Sequence, residues 1–190
     1  ITLSALGALR LKIAKNEDLI DTSIWSPLWI VDFPLVEWND EHKRWDALHH
    51  PFTSPNVEDL NLIDTSPGDT RSLGYDMVMN GYELGGGSIR IHNAKLQSKI
   101  FDLLGIKPKD AEEKFGFLMK AFEFGAPPHG GMAFGFDRII MLLAGSNQIR
   151  DVIAFPKTTS AMSLMDNSPS NVDKNQLDEL NLRINKNKDE

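Results

Sequence analysis

The sequence predicts an α+β fold in which an antiparallel β-sheet is flanked by helices. Asn80–Gly81 lies between two β-prone runs, and Asn–Gly is the strongest short signal for a β-hairpin, because a type I′ turn needs a positive φ at both central residues. The predicted order is strands, then helices, then a further strand and helix. Since a tight hairpin requires antiparallel pairing, this order favours helices packed on an antiparallel sheet over a doubly wound parallel fold.

The first part of the chain predicts one helix followed by short strands. Apolar residues at positions 3, 6, 9 and 13 recur at helical spacing, which predicts a helix that ends near Asn16. Pro34 interrupts the β-prone run that follows, which is typical of an edge strand or a bulge. Residues 28–37 are predicted to form this interrupted strand, and residues 43–48 a strand that returns antiparallel to it. Residues 49–55 are predicted to be a Pro-rich irregular segment, and residues 56–70 a turn-rich acidic segment.

The rest of the chain predicts the hairpin and most of the helices. Asp110 and Glu113 fit an Asx-type variant of the capping box, which predicts the start of a helix that ends at Gly125. The two hairpin strands are predicted over residues 75–79 and 82–91, and a helix over residues 95–104. A glycine-spaced strand is predicted over residues 130–136, a short apolar helix over residues 137–144 and a last short strand over residues 151–155.

Composition narrows the classes of function. The 190 residues include 20 Lys and Arg against 27 Asp and Glu, a net charge of −7, so contacts with RNA would depend on local basic patches. The absence of cysteine excludes disulfides, thiolate metal sites and a cysteine nucleophile, and is compatible with a reducing cytosol. No apolar run approaches the roughly 18–20 residues that span a bilayer, and the N-terminus lacks the features of a signal peptide.

Arg138 lies at the predicted start of a helix, directly after the glycine-spaced strand. A cation in the first helical turn is disfavoured by roughly 0.3–1 kcal/mol, because the helix dipole is positive there. An anion arriving at that helix start would reverse the sign. Two interpretations stay open: Arg138 binds an anionic ligand, or it pairs with a nearby carboxylate while the glycines only allow close packing.

Asp76 and Glu83 lie on the two strands of the predicted hairpin. With a two-residue loop, Val78 faces Glu83 and Asp76 faces Gly85, so the two carboxylates are diagonal neighbours on one face, roughly 7–8 Å apart at Cβ. Mg²⁺ prefers one or two carboxylates together with phosphate oxygens and waters, so this pair could hold it. The alternative is a pair of solvated surface acids.

Three glycines and an arginine follow Glu83. The run 85–87 weakens a strand, so it indicates a bulge or a ligand that lies flat against the backbone. Arg90 has the opposite parity to Glu83, and a bulge in the glycine run would bring both to one face. Arg90 could then bind the carboxylate of a small molecule through two hydrogen bonds. The alternative is an ordinary salt bridge with Asp76 or Glu83.

The pair His49–His50 is ambiguous. A histidine that hydrogen-bonds a ligand and a structural histidine in a Pro-rich turn fit about equally well, whereas a zinc site is disfavoured because cysteine and suitable histidine spacing are absent. The chain contains no nucleophile elbow and no Walker-type loop. The candidate residues together fit an ATP-dependent enzyme that acts on an acidic substrate.

The chain also resembles a known family, the bacterial-type aspartyl-tRNA synthetases, which are class II enzymes. The resemblance covers most of the chain from about residue 3 to 170, and the glycine-spaced segment with its helix resembles class II motif 3. The segments that carry it are residues 27–34, 49–55, 75–76, 80–92, 115–118, 130–143 and 149–157.

The resemblance implies a catalytic domain that activates L-aspartate with ATP and Mg²⁺, and then transfers it to the 3′ acceptor end of tRNA-Asp, with tRNA-Asn as a possible second acceptor. It further implies a cytoplasmic homodimer. The implied roles are catalysis by Arg138 and Glu83, contact of Arg138 with the ATP γ-phosphate, a nucleotide site that also includes Gly135, Phe136 and Asp137, Mg²⁺ binding by Asp76 and Glu83, and aspartate binding by Arg90 and His49.

The chain also departs from the family pattern. Counterparts of class II motifs 1 and 2 and of the N-terminal anticodon-binding domain are not found. Residues 1–20 are expected to end the bacterial insertion domain, 21–165 to form the C-terminal part of the catalytic domain, and 166–190 to be a C-terminal extension. The chain is therefore expected to be a fragment that is inactive alone. The alternatives are a non-catalytic synthetase-like binding module and a related asparaginyl or lysyl enzyme.

Overall fold

The computed structural model describes residues 2–185, and Ile1 and residues 186–190 of the predicted C-terminal extension lie outside the described residues. The described chain divides into two compact units, one up to Phe136 and one from Asp137 onward. No helix in the described residues is long and apolar enough to cross a bilayer.

A four-stranded sheet forms the centre of the first unit, and all of its neighbouring strands are antiparallel. The order of its strands is β1-β4-β5-β6, and β2 and β3 form a separate antiparallel pair. The strands are β1 (Pro27–Ile30), β2 (Val36–Asn39), β3 (Arg44–Ala47), β4 (Gly74–Met79), β5 (Tyr82–Ile89) and β6 (Gly130–Phe134).

The helices confirm the α+β prediction, because they flank an antiparallel sheet. The first helix follows the predicted bounds closely, although none of its residues is buried within the described structure. The helices are α1 (Thr2–Asn16), α2 (Leu62–Thr65), α3 (Ala94–Leu103), α4 (Pro108–Glu123), α5 (Phe136–Leu143) and α6 (Lys174–Glu179), with 3₁₀ turns at Val57–Asp59, Pro67–Asp69 and Ile149–Asp151.

The turn between β4 and β5 has the predicted geometry. Asn80 and Gly81 adopt φ values of 50° and 85°, which is the left-handed region that a type I′ turn requires at both positions. The Asn80 side chain also accepts a hydrogen bond from the backbone N–H of Ser26 at 2.9 Å, and so joins the turn to the residue that precedes β1.

Two predicted elements differ from the structure. Helix α4 begins at Pro108 rather than Asp110, because proline at the first helical position has a preset φ and needs no N–H partner. The strand predicted over residues 151–155 is absent from this part of the described chain. There the Ser146 hydroxyl donates to Asp151 at 2.5 Å, and the backbone N–H of Val152 donates to the Ile149 carbonyl, so a 3₁₀ turn replaces extended backbone.

The apolar core of the first unit joins α3 to β2, to α2 and to the chain just after β5. It consists of five buried aliphatic side chains, each of which contributes roughly 1.5–3 kcal/mol by leaving water. Phe52 from the irregular segment lies edge-on to Phe101 of α3 and Phe115 of α4, with ring centroids 6.1 and 5.1 Å apart. The buried aliphatic residues are Leu35, Val36, Ile63, Ile91 and Ile100.

Arg71 joins several loops beside the sheet through charged hydrogen bonds. Its Nε and Nη2 donate to the two carboxylate oxygens of Asp59 at 2.8 and 3.0 Å, and Nη2 also donates to Glu58 at 3.0 Å. Asp32, a non-glycine residue in the left-handed region, lies 3.9 Å from Nη1. The hydrogen bonds from Arg71 lower the pKa of Asp59 to about 2. The cluster therefore stabilises the fold only while Asp59 is ionised.

We expect this cluster to make the free energy of unfolding sensitive to acid. An unfolded aspartate titrates near pH 3.9, whereas folded Asp59 titrates at about 2, so the unfolded state binds the proton first and stability falls as the pH drops from about 4 to about 2. Urea unfolding across that range should show a shallower fall for Asp59→Asn than for the wild type. Asp40→Asn, at an exposed surface carboxylate, should keep the wild-type slope, and an unchanged slope in Asp59→Asn would contradict the prediction.

Candidate functional site

The pairing of β4 with β5 contains a bulge beside the three glycines. Val78 pairs with Glu83 as predicted, but Asp76 pairs with Gly86 rather than Gly85, so that part of the predicted register is wrong. The register shift leaves Leu84 as the additional residue of β5. The bulge thus lies one residue before the glycine run instead of inside it, because the buried Leu84 side chain needs a place in the core.

This bulge brings the candidate residues to one face of the sheet. Alternation along β4 places Val78 and Asp76 on the same face, together with their partners Glu83 and Gly86. Continuing from Gly86 by steps of two reaches Arg90. The pairing therefore indicates that Asp76, Glu83 and Arg90 share a face, which the sequence alone allowed only if a bulge was present.

The three glycines make room for neighbouring groups of the protein itself. A Cβ atom at Gly86 would collide with Oδ1 of Asp76, so the missing side chain leaves space for that carboxylate. A Cβ at Gly87 would collide with the carbonyl oxygen of Gly131, and one at Gly85 would lie 2.5 Å from the carbonyl oxygen of Ala133. At positions 85 and 87 of β5, the close approach of β6 therefore requires glycine. The predicted ligand lying flat against this backbone stays a prediction.

His49 lies on the same face as Asp76, although it belongs to the irregular segment before β4. Its exposed ring is edge-on to Phe33, with centroids 4.8 Å apart. A Cβ at Gly74 would lie 3.3 Å from the same ring, so the glycine two positions before Asp76 provides the space that His49 occupies. The role predicted for His49 in binding an amino acid stays a prediction.

His50, rather than His49, contacts Arg90. The Arg90 Nη1 atom lies 3.0 Å from Nδ1 of His50 and also contacts Nε2 of that ring. Burial, and then the charge of Arg90, lower the pKa of His50, so the ring is held in its neutral form and accepts from the guanidinium. His50 is not among the site residues that the sequence predicts. The local sequence does not distinguish the two adjacent histidines. The β-bridge between Thr53 and Arg90 brings His50 to Arg90, and that bridge joins residues far apart in sequence.

Backbone contacts of the strand end hold Arg90 in place. Its N–H donates to the carbonyl oxygen of His129 at 2.9 Å, directly beyond the pairing of Ile89 with Gly130. Arg90 is half-buried, which removes part of its solvation and strengthens its attraction for a carboxylate. The arrangement gives a fixed cation on the same sheet face as two carboxylates.

The residues after β6 begin α5 as predicted. The N–H of Gly135 donates to the carbonyl oxygen of the bulge residue Leu84 at 2.7 Å, so the end of β6 is joined to the bulge. Helix α5 starts at Phe136, and Asp137 and Arg138 therefore lie in its first turn. Arg138 is exposed and belongs to the second unit. The predicted binding of a phosphate by these residues stays a prediction.

Asp76 and Glu83 provide the carboxylates for a possible metal site. Among the described residues, no group of three or more His, Asp or Glu side chains is arranged to hold a metal ion. A pair of carboxylates nevertheless suits Mg²⁺ that takes its other ligands from phosphate and water. The predicted binding of Mg²⁺ by Asp76 and Glu83 stays a prediction.

Comparison with known proteins points to one family. Residues 8–159 match the family model described as tRNA synthetases class II (D, K and N). The aspartate–tRNA ligase of Staphylococcus carnosus is 56% identical over 184 residues, which is 97% of this chain and 31% of that protein. The aspartate–tRNA(Asp/Asn) ligase of Bacillus subtilis is 55% identical over 186 residues, which is 98% of this chain and 31% of that protein.

A solved structure shows the same fold. The aspartyl tRNA synthetase from Entamoeba histolytica superposes with a TM-score of 0.54 at 25% identity, and the match covers 78% of this chain and 25% of that one. The chain spans only 31% of the length of the two bacterial relatives.

Proposed function

The chain belongs to the class II tRNA synthetases of the D, K and N group, and we propose that it supplies the C-terminal part of the catalytic domain of an aspartate–tRNA ligase. The high identity to bacterial aspartate–tRNA ligases supports this proposal. One observation of the structure carries it. Arg90, held by His50, lies on the same sheet face as Asp76 and Glu83, so a cation suited to an amino-acid carboxylate shares that face with two carboxylates suited to Mg²⁺.

Arg90 would bind the side-chain carboxylate of L-aspartate. A guanidinium presents parallel N–H donors that match a carboxylate, and His50 restricts its orientation before the substrate arrives. Because His50 accepts from Arg90 without carrying a charge, the guanidinium keeps its full attraction for the substrate. His49, on the same face, would close over the amino acid.

ATP would bind next to this position. Asp76 and Glu83 would hold Mg²⁺, which neutralises phosphate charge when it is bound. By the resemblance to the family, Arg138 in the first turn of α5 would bind the γ-phosphate, and Gly135, Phe136 and Asp137 would line the nucleotide site. Catalysis by Glu83 and Arg138 then consists of orienting the phosphates and stabilising the charge on the departing pyrophosphate.

The reaction would proceed in two steps. The α-carboxylate of aspartate attacks the α-phosphorus of ATP, which forms aspartyl-adenylate and releases pyrophosphate. The 3′ acceptor end of tRNA-Asp then takes the aspartyl group and releases AMP. Named relatives include both aspartate–tRNA and aspartate–tRNA(Asp/Asn) ligases, so tRNA-Asn is a possible second acceptor.

The wider organisation is also proposed from the resemblance. Residues 1–20 would end an insertion domain, 21–165 would belong to the catalytic domain, and 166–190 would form a C-terminal extension. The full-length enzyme would act in the cytoplasm as a homodimer.

Aspartate-dependent exchange of pyrophosphate into ATP tests the proposed function in the full-length protein. We expect exchange by the wild type and a loss of about 100-fold or more for Glu83→Gln, because a neutral amide holds Mg²⁺ on the phosphates more weakly than a carboxylate does. Glu37→Gln, at an exposed position on β2, is the matched control and should exchange like the wild type. A folded wild-type protein without exchange would contradict the proposal and favour a non-catalytic binding module.

A further inference from the structure

Gln97 is a fully buried amide in α3 that the proposed mechanism does not use. Its Nε2 atom donates to the carbonyl oxygen of Pro51 at 2.7 Å, whereas its Oε1 atom is buried without a hydrogen-bond partner in the described structure. An unsatisfied buried acceptor is costly. An apolar side chain of the same size would avoid that cost, so the useful part of Gln97 is its N–H donor.

The hydrogen bond from Gln97 reaches the carbonyl group of Pro51, the residue that directly follows His50. On the other side of Pro51, the carbonyl oxygen of Phe52 accepts from the N–H of Ile91 at 2.9 Å. The N–H of Ser54 donates to the carbonyl oxygen of Ile89 at 2.9 Å. These two hydrogen bonds join residues 52–54 to Ile89 and Ile91, the residues on either side of Arg90. The bond at Pro51 lies nearest in sequence to His50 and comes from a different element.

The position of the His50 ring depends on this backbone. Its Nδ1 atom accepts from the N–H of Phe52 at 3.2 Å and lies 3.3 Å from the Thr53 hydroxyl. These contacts exist only if residues 50–53 keep their tight turn, in which the N–H of Thr53 donates to the carbonyl oxygen of His50 at 3.2 Å. Rotation of the Pro51 peptide would disturb the turn and the ring together.

We propose that Gln97 is a positioning residue that holds His50 against Arg90 and thereby sets the affinity for the aspartate side chain. The inference rests on the proposed function, because it assigns Gln97 a role in the same amino-acid site. Gln97 acts through the Pro51 carbonyl and does not itself contact the substrate.

The first test is steady-state ATP–pyrophosphate exchange by the full-length protein with Gln97→Met. Methionine fills a similar volume but cannot donate to Pro51. We expect the KM for aspartate to rise about 3- to 10-fold, the range that the loss of one hydrogen bond gives, with little change in kcat or in the KM for ATP. Ser98→Ala, on the exposed side of the same helix, is the matched control and should leave all three values unchanged.

A double-mutant cycle separates positioning from general damage. In a His50→Ala background, Gln97→Met should raise the KM for aspartate by less than about 2-fold, because the group that Gln97 holds is already absent. Equal effects of Gln97→Met in the two backgrounds would overturn the proposal.

Native-state hydrogen exchange provides a readout that does not need activity. In Gln97→Met, the amides of Phe52 and Thr53 should exchange faster, whereas amides within α3 should keep their protection. Unchanged exchange at Phe52 and Thr53 would overturn the proposal. Gln97→Leu serves as a second apolar variant, and failure of both variants to fold would also overturn it, because Gln97 would then be a residue of core stability.

The outcomes also separate this inference from the proposed function. A folded wild type that lacks aspartate-dependent exchange contradicts the proposed function. A wild type that exchanges, beside a Gln97→Met variant with an unchanged KM for aspartate, contradicts only the role of Gln97.

Discussion

Replacing Arg90 with leucine is expected to remove nearly all aspartate activation by the full-length protein. The Arg90 guanidinium is half-buried. We assign no other cationic side chain of this chain to the substrate carboxylate. Truncating one partner of a buried, hydrogen-bonded charge pair costs about 2–5 kcal/mol, so kcat/KM for aspartate should fall roughly 30- to 5,000-fold. Aspartate-dependent ATP–pyrophosphate exchange measures this loss.

Arg44→Leu is the matched control for charge and size. Arg44 lies on β3, outside the four-stranded sheet, and its exposed guanidinium pairs with Asp46 at 2.8 Å. The variant should activate aspartate like the wild type. If Arg90→Leu also kept the wild-type kcat/KM, Arg90 could not be the residue that binds the substrate carboxylate.

Replacing Gly87 with alanine is expected to destabilise the sheet severely. The new Cβ would overlap the carbonyl oxygen of Gly131 and approach the Tyr75 ring to 2.9 Å. A backbone oxygen cannot rotate away as a side chain can, so β5 and β6 would have to separate. Overpacking typically costs 1–3 kcal/mol, and we expect about 3 kcal/mol or more here because the obstacle is backbone. Urea or thermal unfolding measures the change.

Gly131→Ala provides a control within the same pair of strands. A Cβ at Gly131 would meet no atom within 4 Å, and the residue does not adopt a positive φ. This variant should be as stable as the wild type, or more stable by about 0.4–1 kcal/mol, because alanine restricts the unfolded chain. Equal stabilities for Gly87→Ala and Gly131→Ala would show that the close approach of β6 does not require glycine on β5.

The sequence predicted those parts of the fold that depend on local interactions. The Asn80–Gly81 turn forms because those residues tolerate positive φ, and α3 and α4 are each followed by a glycine in the left-handed region, Gly105 and Gly125. The same reasoning failed for residues 151–155. Their β-branched and aromatic side chains favour a strand, but no neighbouring strand pairs with them in the described chain, and the N–H groups of Asp151 and Val152 donate within a 3₁₀ turn instead.

The arrangement of the candidate site depends on contacts that the sequence could not predict. The sequence indicated that a bulge in the glycine run would place Glu83 and Arg90 on one face, and the structure contains a bulge one residue earlier, at Leu84. The alternation of side chains along a strand cannot locate a bulge. The position of the additional residue depends on which side chain the core can bury. In the same way, no local pattern showed that His50 would contact Arg90, since these residues meet across 40 positions of sequence.

By itself the sequence determined the class of fold, the hairpin turn and most of the helices. Each of these follows from backbone preferences and side-chain chemistry within a few neighbouring residues. Only the tertiary structure decided which histidine meets Arg90, which carboxylate lies over Gly86, and that Gln97 reaches Pro51. Those choices depend on contacts between distant segments, which are made only when the strands and helices pack together and exclude water.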